Sequence, residues 1–275
     1  MEPIICFGQQ PCGFFPKRFL VAKINTARSL QKEIAASTSL GIKSRIVFFY
    51  HDSDADYRET ITIMADRQSG NEVRLNFTQE NKVQKKFSPL YLKRIPAGWK
   101  EETLKQLPRF MDADLIDIFK SVTSNTVADF SLEMYKKMGL LDGIEIVRSS
   151  DKTFRESTLT KPTEYFADLP FEGEIVRAKV EGLPHQSAPN SASVRASLHE
   201  GGGKFTYFDL PSNIEKAQIN PGKDERFAWM NSVIHCNHYI AGNSEYDYIK
   251  RDQFPEVKFI KREQIENSEM AWLGN

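Results

Sequence analysis

Lys23 stands three residues after Leu20 and four before Ala27, inside the spacing Leu20, Ile24, Ala27, Leu30 and Ile34 that marks the apolar stripe of a helix. A cation in such a stripe has two uses. It reaches back to hold a phosphate or carboxylate, or it lays its alkyl stem over the core and puts its ammonium in solvent. Just ahead lies GQQPCGFFP at 8–16. Gly8 and Gly13 permit backbone conformations closed to other residues, and Gln9 and Gln10 add neutral donors and acceptors. Pro16 fits the first helical turn, where helix N–H groups are open to an anion. The spacing is neither GxGxxG nor a P-loop, so the segment reads as an anion cradle or as a packing turn.

HDSDADYRE at 51–59 gathers Asp52, Asp54, Asp56 and Glu59 at the end of a strand-like run. Alternating carboxylates bind a divalent cation, hydrogen-bond a ribose or accept an amine, and they also cap solvated loops. The glycine and terminal glutamate of an EF-hand are missing. Read as a strand, the segment of His235, Cys236 and His238 puts the last two on one face and His235 on the other. No second cluster completes a zinc site, so no metal site is expected. Cys12 has the helix-terminal setting of a nucleophilic thiolate, without an assignable histidine partner. The runs KVQKK (82–86) and KFIKR (258–262) read as solvated faces, except that Lys261 and Arg262 end a strand and can meet phosphate or carboxylate.

The elements that must position these groups are clearest at the two ends. PIICF (3–7) is a short strand, followed by the glycine turn, the helix, and the doubly buried strand RIVFFYHD (45–52). Residues 60–77 read as two strands around Ser69-Gly70-Asn71. Amphipathic helices fill 100–140, with Gly139 or Gly143 as a stop. Residues 160–225 are strand-rich, with a loop at 182–193 and a hairpin over 194–210. SVIHCNHYIAG (232–242) reads as a strand, SEYDYIKRD as a short helix and VKFIKRE as a strand. This pattern predicts one α/β domain with a doubly wound, Rossmann-like parallel sheet: a core from 1–80 and 228–275, with 81–227 as a mixed helical and hairpin insertion. If the first strand and the one ending near 241 are neighbours, the strand order reverses between them, and ligands bind over their carboxyl ends.

Composition narrows the partners. With 37 basic and 37 acidic side chains in 275 residues the net charge is zero, which argues against a nucleic-acid binder. A hydrophobic fraction of 40% is that of a globular chain. Three cysteines imply no disulfide framework and a reducing compartment. No apolar run approaches the roughly 18 residues of a membrane span, and MEPIICFGQQPCGFFPKRF lacks a secretory signal pattern. The expectation is a soluble cytoplasmic protein.

The motifs resemble those of the bacillithiol biosynthesis cysteine-adding enzymes. GQQPCGFFPKRFLVAK is similar to that family's first nucleotide-binding turn, with Gly8, Gln9, Gln10, Gly13, Pro16 and Lys23 in matching places. VFFYHDSDADYRE resembles its next strand and acidic motif. Asp54, Asp56 and Glu59 match, while Ala55 replaces a histidine and Arg58 an acidic residue. GLPHQS (182–187) is similar to a proline-and-glutamine motif and places Gln186. HYIAGNSEYDYIKRDQFPEVKFIKRE resembles the GGP-x-E-x-x-Y segment and its basic strand end. Gly242, Glu245, Tyr248 and Arg262 match, and Asn243 stands for the proline.

The resemblance implies a Rossmann-like core of nucleotidyltransferase type, shared with class I aminoacyl-tRNA synthetases, in a shorter chain without the family's coiled coil. It implies a ligase joining an amine or amino acid, cysteine included, to a carboxylate-bearing metabolite, or a nucleotidyltransferase-like activator. ATP with Mg2+ is implied by the fold relatives. The glycine turn and Lys23 would hold phosphate or carboxylate, Asp54 and Asp56 would orient an amine or ribose, and Arg262 with Lys261 would neutralise developing charge. The rival is a binding module that kept the cradle without the chemistry.

Overall fold

In a computed structural model, the described residues are 2–37, 43–65, 71–77, 89–159, 195–198, 204–206, 219–221 and 225–274. Gln186, the loop at 182–193 and the basic run 82–86 lie outside them.

The strands are β1 (Ile4–Gln9), β2 (Arg45–Tyr50), β3 (Thr62–Ala65), β4 (Glu72–Leu75), β5 (Ile144–Arg148), β6 (Arg195–Leu198), β7 (Lys204–Thr206), β8 (Ile219–Asn220), β9 (His238–Ala241) and β10 (Lys258–Lys261). The helices are α1 (Arg18–Ser37), α2 (Trp99–Gln106), α3 (Ala113–Ser121), α4 (Val127–Lys137), α5 (Lys152–Ser157), α6 (Arg226–Ile234) and α7 (Asn243–Tyr248). Five strands form one sheet in the order β10-β9-β1-β2-β5, every pair parallel. This is the Rossmann-like α/β core the sequence pattern predicts. The strands β3 and β4 pair antiparallel, with Ser69 and Gly70 of the predicted turn outside the described residues, and β6 pairs antiparallel with both β7 and β8.

Strand alternation sorts the core into two layers. Ile5 and Phe7 of β1 and Ile46, Phe48 and Tyr50 of β2 face one side, where Leu20, Ile24, Ala27 and Leu30 of α1 cover them. Phe14, Phe77, Trp99, Phe119 and Phe130 extend that layer as one aromatic cluster, with ring centroids of Phe77 and Trp99 5.0 Å apart. Cys6, Val47, Phe49 and Tyr239 face the other side, against Trp229 and Met230 of α6. A parallel strand covered on both faces shows no polar alternation, which is why β2 is apolar from Ile46 to Tyr50.

Two elements differ from the sequence expectation. Strand β5 comes from the middle of the chain yet completes the sheet beside β2, with Ile46 opposite Ile144 and Phe49 opposite Val147. Its half-covered edge position lets IEIVR carry charges, so no apolar run announces it. Residues 232–234 continue α6 instead of starting a strand. His235 adopts the left-handed conformation (φ 51°) that stops the helix, and the Cys236 N–H donates to Asn231 Oδ1 at 2.8 Å. The β-branched Val233 and Ile234 look strand-like alone, but Phe227, Trp229 and Met230 dock the segment as a helix. His235 is therefore exposed at a helix end, while Cys236 is buried.

Candidate functional site

The strand order reverses at β1, whose neighbours are β2 on one side and β9 on the other. Gly8 and Gln9 end β1, and Gly242 and Asn243 follow β9, so both glycine-bearing turns meet over the carboxyl ends. Lys23 reaches back from α1 to this point. Its Nζ donates to the Gly8 carbonyl at 2.6 Å, to Glu245 Oε2 at 2.7 Å and to Gln9 Oε1 at 3.3 Å. Glu245 in turn accepts from the Tyr239 hydroxyl at 2.5 Å and the Gly242 N–H at 3.0 Å. Lys23 is 3% exposed, so its ammonium does not run out to solvent. All three of its donors are occupied by protein acceptors. The knot is tight: a Cβ on Gly8 would lie 2.8 Å from the Tyr239 hydroxyl.

The turn that follows is buried from Gln10 through Lys17. Two of its N–H groups are satisfied from within: Cys12 donates to the Tyr135 hydroxyl at 3.2 Å and Phe14 to Thr62 Oγ1 at 3.0 Å. At the start of α1, Arg18 and Phe19 donate to the Met270 and Ser268 carbonyls at 2.9 and 3.0 Å. The free helix terminus expected for an anion is thus capped by a later segment of the chain. Gly13 and Pro16 belong to this packing turn: Tyr135 bonds the Gly13 carbonyl at 2.7 Å, and the Pro16 carbonyl accepts from Trp272 at 2.7 Å. With these donors taken, the turn does not fit the triphosphate of ATP, and no step is assigned to ATP or Mg2+. Burial, foremost, raises the Cys12 thiol above its ordinary value, which removes the setting for a reactive thiolate.

The acidic segment divides by environment. Asp52 is wholly buried and accepts from Arg148 Nε at 2.6 Å, the Ser150 N–H at 2.9 Å and hydroxyl at 2.7 Å, and the Ser149 hydroxyl at 3.1 Å. It ties β2 to the end of β5. Asp54 Oδ2 pairs with Arg226 Nη2 of α6 at 2.7 Å, and His51 Nε2 lies 4.0 Å from the same oxygen. Burial alone would raise this carboxyl, but Arg226, His51 and the Asp56 N–H draw it down to about 2. Asp56 is gripped by Arg58 through Nε at 2.9 Å and Nη2 at 2.7 Å on the surface, so it stands apart from Asp54. Glu59 is raised by burial above its usual value.

Arg262 follows β10 and is 8% exposed. Its Nη1 donates to the Glu263 carbonyl at 2.8 Å, and among the described residues no carboxylate lies in ion-pair range of its guanidinium. Lys261 is at the surface, 3.8 Å from Asp247 Oδ1 and over the Tyr246 ring. Asn243 is exposed at the start of α7, and Tyr248 packs partly buried on the second core layer. The sheet therefore brings Gly8, Gln9, Lys23, Gly242 and Glu245 together. Asp54 joins a neighbouring group instead; among the described residues no hydrogen bond or ion pair links it to Lys23 or Arg262.

Sequence reasoning missed His51, Arg226 and Lys93. Lys93 is buried, donates to the Ala55 carbonyl at 3.0 Å, and is lowered to about 8, by burial first, against the pull of Asp54 and Asp56. His51 had a usable signal, since it directly follows the apolar run Ile46–Tyr50 at the carboxyl end of its strand. Arg226 and Lys93 had none, because only tertiary packing carries them to the acidic loop. A separate surface cleft of about 270 Å³ lies by Arg45, Glu145 and Ile234, and none of the predicted site residues lines it.

Stability should depend on pH through this group. Burial first, then Arg226, holds His51 well below its usual 6.5, so on acidification the unfolded chain takes this proton and the folded one does not. Stability is then full above 6.5 and falls as pH drops below it. Asp54 contributes about 2 kcal/mol above pH 3.8, lost as pH falls from 3.8 to about 2. Melting temperature against pH in the native protein and in His51→Gln checks this; the upper decline should shrink in the variant, leaving the part due to His238, which burial also lowers.

No protein-family model matches the chain, and no curated protein matches it significantly. Among the described residues no helix is long and apolar enough to cross a membrane.

Proposed function

We propose that the protein is a small-molecule ligase related to the bacillithiol cysteine-adding enzymes, joining an amine or amino acid to a carboxylate-bearing metabolite over the carboxyl ends of β1, β2 and β9. The observation that carries this reading is Arg262, a buried guanidinium after β10 with its charge left for a ligand carboxylate. A buried charge without a partner is expensive, and an incoming carboxylate offsets that cost. Asp54, ionised and half-buried, supports the amine side of the site. Lys23 and Glu245 act here as the strut that fixes the switch point.

A second reading is a non-catalytic metabolite-binding module, favoured by the saturation of Lys23, which leaves it no donor for a reacting group. Thermal shift with malate, cysteine and nucleotides, paired with mass spectrometry of amine and carboxylate mixtures with and without ATP-Mg2+, separates the two. The ligase predicts stabilisation by malate that Arg262→Ala abolishes, and a condensed product. Malate stabilisation without product from any pair supports the module. No shift with any carboxylate removes Arg262 from the site.

A further inference from the structure

His51 is a buried group whose bonding the fold leaves open at both ring nitrogens. Its N–H donates to the Gln9 carbonyl at 2.9 Å, so its backbone is fixed where β1 and β2 end side by side. Its ring lies near-parallel to Phe49 (5.9 Å, 26°) and edge-on to Trp229 (6.3 Å, 81°). The residue is 3% exposed, and among the described residues neither ring nitrogen has a hydrogen-bond partner. Each unsatisfied buried polar atom costs about 1–3 kcal/mol, so an imidazole held this way calls for a group that completes it.

The geometry around Nε2 says which group. Asp54 Oδ2 is 4.0 Å away, beyond a direct hydrogen bond, and Arg226 Nη2 holds that oxygen at 2.7 Å. Two acceptors at this separation are both reached by one atom standing about 2.9 Å from each. Burial keeps the imidazole neutral, and in the tautomer protonated at Nδ1 its Nε2 offers a lone pair; Asp54 is ionised, so in that tautomer both atoms accept. An anion is turned away by Asp54. A hydroxyl carries one hydrogen and serves one acceptor, whereas a primary amine carries enough for both. The charged groups facing His51 are Asp54 on its own loop, Arg226 on α6 and Arg155 on α5.

We propose that His51 Nε2 and Asp54 Oδ2 form a two-point subsite for the primary amine of a ligand, with Arg226 fixing the carboxylate; as the amine side of the ligase it rests on that reading, but as a binding site it is tested alone. The test follows imidazole 15N resonances in histidine-labelled protein, the His51 signals being assigned with His51→Gln. Cysteamine, a primary amine, should move the Nε2 resonance, and N-acetylcysteamine, with the amine blocked, should not. His51→Gln and Asp54→Asn should each weaken cysteamine about fivefold or more, the worth of one hydrogen bond. A resonance unmoved by cysteamine, or moved equally by both probes as if the position held water only, overturns the proposal. Where a variant fails to fold, the probe comparison in the native protein still decides. A His51 response without any condensation product sinks the ligase and leaves the subsite standing; product formation with an unresponsive His51 does the reverse.

Discussion

Replacing Glu245 by alanine should destabilise the protein by about 3–5 kcal/mol, the cost of stranding a buried charge by removing its partner. Lys23 would keep the Gly8 and Gln9 oxygens but lose the only carboxylate it touches among the described residues, at 3% exposure. The reverse change, Lys23→Met, should cost less. Glu245 stays bonded to Tyr239 and the Gly242 N–H, it is more exposed than Lys23, and the methionine fills the apolar stripe of α1. The double variant Lys23→Met with Glu245→Ala should recover most of the loss, because no unpaired charge remains. Urea unfolding of the four proteins gives the coupling energy directly. Coupling near zero, with ligand binding lost in both single variants, would return Lys23 to the role of an anion ligand.

The second large effect is expected at Gly13, where alanine should cost about 3 kcal/mol or more. Its φ of +103° lies outside the range that side chains adopt readily, and a Cβ would stand 2.7 Å from Thr62 Oγ1 and 2.9 Å from the Phe15 carbonyl. Thr62 cannot simply turn aside, since its hydroxyl accepts the Phe14 N–H. Gly98→Ala is the matched control. There φ is +78° and nothing lies within 4 Å, so only the backbone preference is lost, about 1–2 kcal/mol. Equal losses in the two variants would mean that the turn at Gly13 is pliable, and the anion-cradle reading would regain ground.

The sheet was legible because burial on two faces leaves apolar runs, as in PIICF and RIVFFY, and because α1 shows its stripe from Leu20 to Ile34. Strand β5 was not, since an edge position tolerates Glu145 and Arg148. The reach of Lys23 back to the glycine turn was legible from its place on the stripe. Its partner was not, because Glu245 arrives from 222 residues away. The same holds for Arg226 and Asp54, which are 172 residues apart. Sequence spacing locates groups on their own element; it is silent on which distant charge neutralises them. The capping of α1 was hidden for this reason, as the carbonyls of Ser268 and Met270 that take its first N–H groups belong to a segment that no local pattern ties to α1.

The position of β1 at the centre of the sheet has a kinetic side. Its pairing with β2 closes a short loop, whereas its pairing with β9 joins Cys6 to Tyr239 and waits for most of the chain. Loop closure over such a span makes this a late and slow contact. In a chain that emerges amino terminus first, β1, β2 and β5 can pair while one side of β1 still shows its bare backbone amides and carbonyls. That open flank is the kind of edge on which strands of other molecules add. During synthesis, then, the switch point is first an aggregation hazard, and takes its final form only when β9 closes it.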